Sequence, residues 1–438
     1  MSNTYWRPFN MVDEAPILDI VKGEGVYLYD INGNKFQDAY SGLWNVNYGY
    51  SDIEIKNDIK KQIDELPYVN PITLGNSKVI ELSNLLCELT HDEIEKIIYT
   101  CSGSESIEAA IKISRKYSSL IGKKQYYIAV ISESYHGSYY GSMSASFYDS
   151  YEKEGYGPML DGFINLPLPF TRRSKTEEMD EVSKAEILQK LENKLDEYKD
   201  KLCAIIVEPI LASGGVIPLF EEYLYKLNNF CRNNDVLFIC DEVATGFGRT
   251  GTMFRFQQFD IKPDIITMSK GINNGYLPFG TVCISRKIKE AFLRENSILF
   301  HLSTQNANPI CIASALTTIK KMQRENAVKK INIISDYFKK IMLAELENLS
   351  MIFEIRIYGL MAAIDLIDID TNKPIKKEKL ISIIGKVYSM GCITGISFIK
   401  NITSSILIFP QYISTEENVE NIVSIIKTVL TDIESRTD

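Results

Sequence analysis

The chain has only three histidines and two tryptophans in 438 residues, and its eight cysteines are scattered singly, with no CxxC pair. Zinc sites of the usual His/Cys spacing and a disulfide framework are therefore not expected, no metal is assigned, and free thiols suit a reducing cytoplasm. Long apolar runs are missing too. Runs such as Val236 to Cys240 fall far short of a bilayer, so no membrane span is expected. The opening MSNTYWRPFNMVDE has neither a basic stretch nor an apolar core, so no secretory signal is expected. Basic residues are in deficit: 48 Lys and Arg face 57 Asp and Glu, a formal charge of −9. No basic stripe is available to neutralise phosphates, which argues against nucleic acid as a partner. Neither GxxxxGK[ST] nor a GxGxxG after the first strand of the central sheet occurs, which leaves nucleotide and dinucleotide sites without support.

What is present is a large apolar fraction, 45%, with 24% charged residues, enough for a sizeable core and more than one structural unit. Residues 17–38 read as a hairpin or meander, with Val26 to Ile31 followed by the turn pair Asn32-Gly33. Beyond residue 60, short evenly apolar runs alternate with helical spacing. The runs are Ile97–Tyr99, Tyr127–Val130, Cys203–Val207, Val236–Cys240, Ile265–Met268 and Thr281–Ile284. Strands this apolar are buried on both faces, as in a mostly parallel sheet covered by helices. Ile107, Ala110, Ile111 and Tyr117 share one helical face, as do Tyr223, Leu224, Leu227 and Cys231. The expected fold class is α/β: a large domain over residues 61–310, a smaller α+β domain over 311–438, and a segment 1–60 joining the smaller one. The Lys/Glu-rich run 175–201 reads as a solvated helix face.

In open α/β sheets, ligands bind beyond the carboxyl ends of the strands. The first apolar strand runs into Cys101-Ser102-Gly103-Ser104 and a helix opening with Glu105. Small residues at a helix start admit an anion, although Ser104 also suits ordinary capping. Two strands end in Glu208-Pro209 and Asp241-Glu242, carboxylates that are costly there unless they meet a donor or cation. Another is followed by Ser269-Lys270-Gly271. Desolvation lowers an amine's pKa and makes it a nucleophile able to form a Schiff base. A phosphate cradle, a buried aspartate and such a lysine in one crevice are the parts that pyridoxal phosphate demands.

The run Asp241-Glu242-Val243-Ala244-Thr245-Gly246-Phe247-Gly248-Arg249-Thr250-Gly251, then Pro263-Asp264-Ile265 and Ser269-Lys270-Gly271, resembles the signature of class III pyridoxal-phosphate aminotransferases. The resemblance extends over nearly the whole chain, through Ser41–Asn45, Ser102–Glu105, Tyr135-His136-Gly137, Glu208-Pro209 with Gly214-Gly215, His301 to Pro309, and Gly359–Met361. It implies the aspartate aminotransferase-like fold type I and a homodimer with shared active sites. It further implies small-molecule amine and carbonyl substrates and a two-stage transfer between them.

Residue by residue, the resemblance makes Lys270 the Schiff-base lysine and Asp241 the partner of the pyridine nitrogen, with Glu208 behind it. Gly103 and Ser104 match the phosphate turn. Tyr135 matches the aromatic residue on the cofactor ring, and Val243 covers the opposite face. Thr304, with Ser303 beside it, resembles the threonine that reaches the phosphate in the neighbouring subunit.

For substrate, the pattern is similar to ω-amino acid:pyruvate transaminases and diaminopelargonate synthases. Leu407 and Ser213 stand where ornithine- and GABA-type members carry an arginine and a glutamate. Lys400 stands where the carboxylate-binding arginine of the nearer subgroups is expected. Trp44, Tyr68, Trp6 and Phe9 match aromatic pocket positions, and Leu302 replaces a glycine at the mouth. Aminomutase, racemase and decarboxylase chemistry use the same lysine and aspartate and remain open, as does a catalytically silent cofactor-binding module.

Overall fold

The computed structural model describes residues 4–12, 14, 18–148, 150–170 and 179–435. In chain order its strands are β1 (Ile20–Glu24), β2 (Tyr27–Asp30), β3 (Lys35–Asp38), β4 (Ile94–Thr100), β5 (Tyr127–Ile131), β6 (Phe163–Leu166), β7 (Leu202–Val207), β8 (Ile210–Leu211) and β9 (Ile217–Pro218). Then follow β10 (Leu237–Asp241), β11 (Ile265–Met268), β12 (Gly280–Ser285), β13 (Ile352–Tyr358), β14 (Met361–Asp368), β15 (Lys373–Pro374), β16 (Cys392–Ile393), β17 (Gly395–Ile399) and β18 (Thr403–Ile408).

The central sheet has seven strands in the order β4-β12-β11-β10-β7-β5-β6. All pairs are parallel except those of β12, which runs antiparallel to both β4 and β11. Thr281–Ile284, expected as one more strand of a mostly parallel sheet, is therefore its reversed member. Six strands consequently point their carboxyl ends the same way. Side chains alternate across a strand, so each apolar run feeds two cores. Ile205, Phe238, Cys240 and Ile266 pack into one. Ala204, Ile206, Leu237, Ile239 and Ile265 pack into the other, against Ile107, Ala110 and Ile111 of the helix Gly103–Leu120. Each of the isoleucine, leucine and phenylalanine side chains contributes about 1.5–3 kcal/mol on burial.

The meander β1-β2-β3 continues into β16, which pairs in parallel with β3 through Cys392↔Gln37. A further sheet, β13-β14-β18-β17, carries β15 on its side. The helix Glu181–Tyr198 turns Ile187, Leu191 and Leu195 inward and its charges outward, as the Lys/Glu run suggested for its described part. Residues 17 and 175–178 of those two readings lie outside the described residues.

Candidate active site

The carboxyl ends of β4, β5, β7, β10 and β11 each deliver a polar group to one edge of the sheet. β10 ends on Asp241, buried to 3% exposure. One carboxylate oxygen, Oδ1, accepts from Thr267 Oγ1 at 3.0 Å and from the Val243 backbone N–H at 3.1 Å. The other, Oδ2, lies 2.7 Å from His136 Nδ1. An ionised carboxylate only accepts, so this pairing puts the proton on Nδ1. Sequence alone assigns His136 no role. Its signal is position alone, one residue past Tyr135. Its Nε2 is buried without a hydrogen-bond partner among the described residues.

Glu208, directly after β7, accepts from the backbone N–H of Tyr135 at 2.9 Å and of Ala212 at 3.2 Å. Burial pushes its carboxyl up to about 7, opposed by His136 and reinforced by the charge of Asp241. Glu242 turns away from this edge. It accepts from Phe256 N at 2.8 Å and from Thr245, so it holds the 254–256 turn.

Lys270 follows β11 after Ser269, whose hydroxyl donates to Phe279 O at 2.6 Å. Its φ of +34° is left-handed, a strain of about 1–3 kcal/mol that clusters at functional positions. Desolvation lowers its amine pKa, while Asp241 and Glu208 oppose the shift. A Cβ on Gly271 would collide with the side-chain amide of Asn47, so glycine is favoured after the lysine. Lys270 Nζ lies 4.7 Å from the centre of the Trp44 ring. That ring stacks on Phe409 at 4.8 Å and meets Tyr40 edge-on at 5.9 Å. The turn holding Trp44 has positive φ at Ser41, Gly42 and Trp44, and Ser41 Oγ anchors it to Phe409 O at 2.5 Å.

The turn after β4 is capped by Ser102, not Ser104: Ser102 Oγ accepts from Glu105 N at 3.1 Å. The Ser104 hydroxyl instead faces the loop after β5, accepting from Ser138 N at 3.3 Å. A Cβ on Gly103 would sit 3.1 Å from Val243 Cγ1 and 3.5 Å from Ser269 Cβ. These contacts bring the 103–104 turn, Val243 and the residue before Lys270 together. Bare backbone at the start of an 18-residue helix is an anion cradle. An amine, a carboxylate opposite it and this cradle fit pyridoxal phosphate.

Other expected residues lie elsewhere. Thr304 is exposed, and its backbone oxygen accepts from Tyr68 OH at 3.1 Å. Ser303 Oγ lies 3.4 Å from Cys101 Sγ. Trp6, Phe9 and Leu302 are exposed at the surface. Lys400 is not brought to the crevice. The β17–β18 hairpin is closed by the pair Ile399↔Thr403, so Lys400 opens its turn and is exposed. It lines a depression of about 430 Å³ with Pro374, Ile375 and Phe398.

Arg249, in the signature run, is buried and donates to Leu360 O at 3.0 Å, to Pro410 O at 2.6 Å and to Asn47. It ties three distant segments together rather than facing the crevice.

The class-III aminotransferase family model matches residues 10–430. The adenosylmethionine-8-amino-7-oxononanoate aminotransferase of Staphylococcus aureus is 31% identical, over 99% of this chain and 97% of its own length. An (S)-enantioselective omega-transaminase from Thermomicrobium roseum is 30% identical with a TM-score of 0.89, covering 98% and 96%. An amine transaminase from an uncultivated Pseudomonas species, solved with the cofactor bound, superposes with a TM-score of 0.90 at 26% identity, covering 99% of each chain.

Proposed function

Starting from a chain that belongs to the class-III aminotransferase family, we propose that its transamination is carried by Lys270 and Asp241 at the ends of β11 and β10. The enzyme has fold type I and uses pyridoxal phosphate. The observation that carries the residue assignment is the convergence of one desolvated amine with the carboxylates of Asp241 and Glu208 at one sheet edge.

The bound cofactor supplies an aldehyde that condenses with amines and a ring that withdraws electrons from the carbon bearing nitrogen. Lys270 would hold it and, once free, would move a proton at Nζ as general base and acid. Its lowered pKa favours the neutral, nucleophilic form. Asp241 keeps the ring nitrogen protonated, because an adjacent carboxylate favours the charged ring. Thr267, His136 and the Val243 N–H hold that carboxylate in place. Gly103 and Ser104 would take the phosphate and Tyr135 and Val243 would flank the ring, while Glu208 fixes the Tyr135 backbone.

The amino group passes from an amine or ω-amino acid donor to a keto acid, aldehyde or ketone acceptor in two half-reactions. Trp44, backed by Tyr40 and Phe409, supports a donor with an apolar substituent. Incubating the yellow enzyme with a panel of amines and following bleaching of its visible absorbance tests this. Apolar amines bleach it fastest; bleaching by β-alanine alone contradicts the reading.

The functional unit in this reading is a homodimer in which Thr304, with Ser303, completes the neighbour's phosphate site. Thr304 is exposed, and Tyr68 ties it to a loop bearing exposed Ile72 and Leu74, while exposed Ile298, Phe300 and Leu302 precede it. A second copy would cover these apolar side chains, placing Tyr68 and Leu302 beside the neighbour's substrate mouth. Eight unpaired cysteines support a cytoplasmic enzyme. No helix among the described residues is long and apolar enough to cross a membrane. The meander of residues 1–60 is read as part of the small C-terminal unit that it joins through β16.

A further inference from the structure

The 101–104 turn and the 301–306 loop are 200 residues apart in sequence, yet a single carboxylate holds both. Glu105, in the first turn of the helix Gly103–Leu120, is buried to 9% exposure. Its Oε2 reaches back to accept from Cys101 N at 2.9 Å, which fixes the start of the phosphate turn. Its Oε1 accepts from Asn306 Nδ2 at 3.0 Å and lies 3.3 Å from His301 Nε2. Asn306 in turn accepts from Ser303 N at 2.5 Å. Lys112, two turns along the same helix, lies 3.4 Å from His301 Nδ1. With Lys112 donating there, the remaining ring proton sits on Nε2, which lies near Glu105 but makes no hydrogen bond among the described residues. Cys101 Sγ and Ser303 Oγ, 3.4 Å apart, make a second tie between the two segments.

None of these groups faces Lys270, so the network has no part in proton transfer. Both of its ends, however, lead to a phosphate. One end is the protomer's own turn, Gly103-Ser104. The other is the loop that offers Thr304 outward. We infer that Glu105 is a positioning residue coupling the two cofactor sites of the dimer: it sets its own phosphate turn and, through Asn306, the loop that completes the neighbour's site. The inference rests on the shared-site reading above. A rigid hydrogen-bonded frame with charge-assisted contacts transmits a shift in one segment to the other, because buried donors and acceptors cannot be left unpaired cheaply. Cofactor arriving in one protomer orders its turn, and through Glu105 it orders the loop its partner needs.

Hybrid dimers test this, assembled from two differently tagged chains. One chain is a silent protomer carrying Lys270→Ala, which gives no lysine-bound absorbance. The other is a wild-type reporter, whose visible absorbance reads its own pyridoxal phosphate affinity. Adding Glu105→Gln to the silent protomer is expected to raise the reporter's Kd by about tenfold, the scale of a lost charge-assisted hydrogen bond. Asn306→Ala in the silent protomer is expected to act in the same direction, and it leaves the Cys101 cap intact should the Glu105 variant fold poorly. Thr304→Ala in the silent protomer is the control for the shared site. If Thr304→Ala weakens the reporter while Glu105→Gln and Asn306→Ala leave it unchanged, the coupling is overturned and the shared site stands. If none of the three changes the reporter, the shared-site reading fails and takes the inference with it.

Discussion

His136 Nδ1 lies 2.7 Å from Asp241 Oδ2, with the His136 side chain fully buried and that of Asp241 3% exposed. The pair joins the loop after β5 to the end of β10, 105 residues later. A hydrogen bond to a buried charge is worth about 1.5–3 kcal/mol. His136→Phe is therefore expected to lower kcat by about tenfold to a hundredfold with a smaller change in KM. His136→Asn, which can donate from a similar place, recovers part of the loss. Equal kcat in wild type and His136→Phe contradicts the role.

Lys270 is desolvated and its pKa is lowered from the ordinary 10.5. Only the neutral amine condenses with an aldehyde, so the rate of cofactor loading onto apoenzyme rises with pH. The half-rise is expected below 10.5, and stopped-flow absorbance measures it. Asp241→Asn removes a charge that opposes the lowering, so its half-rise falls further. A half-rise at or above 10.5 contradicts the desolvated site.

Glu208 is held up to about 7 against an ordinary 4.5. The folded chain keeps this proton where the unfolded chain has lost it. The stability from this group is thus fully present below pH 4.5 and is lost as pH rises to about 7. Relative to Glu208→Gln, the apoenzyme's Tm is expected to fall between pH 5 and 8. A constant Tm difference across that range contradicts the shift.

Arg356, 3% exposed in its side chain, pairs with Glu354 at 2.6 Å and donates to Gly215 O at 2.9 Å and to Ser405 Oγ at 3.2 Å. It fastens the β13 strand to the turn between β8 and β9 that follows Glu208. Removing one member of such a buried group costs about 3–5 kcal/mol. Arg356→Met is expected to lose that much in denaturant unfolding of the apoenzyme. Lysine rescues little, because it lacks the planar fork. A loss below about 1 kcal/mol contradicts this fastening.

The sheet and its loaded edge were legible because strands buried on both faces must be apolar throughout. A Lys, Asp or Glu at the end of such a run therefore stands out, as Lys270, Asp241 and Glu208 do. The reversal of β12 was not legible, since an antiparallel strand in a buried sheet has the same composition as its parallel neighbours. Ser104 suits either a phosphate turn or a helix cap by sequence, and it is backbone geometry that gives the cap to Ser102. The place of Lys400 in an exposed turn was not legible either, because it follows from the pairing Ile399↔Thr403 that closes the hairpin. His136 with Asp241 and Glu105 with Asn306 join segments 105 and 201 residues apart. No periodicity or turn signal links residues across such spans.

The most direct test of the central claim is borohydride reduction of the cofactor-loaded enzyme followed by peptide mapping. The account predicts one phosphopyridoxyl group per chain, on the peptide carrying Ser269-Lys270-Gly271. Label on a different lysine, or none on that peptide, contradicts it.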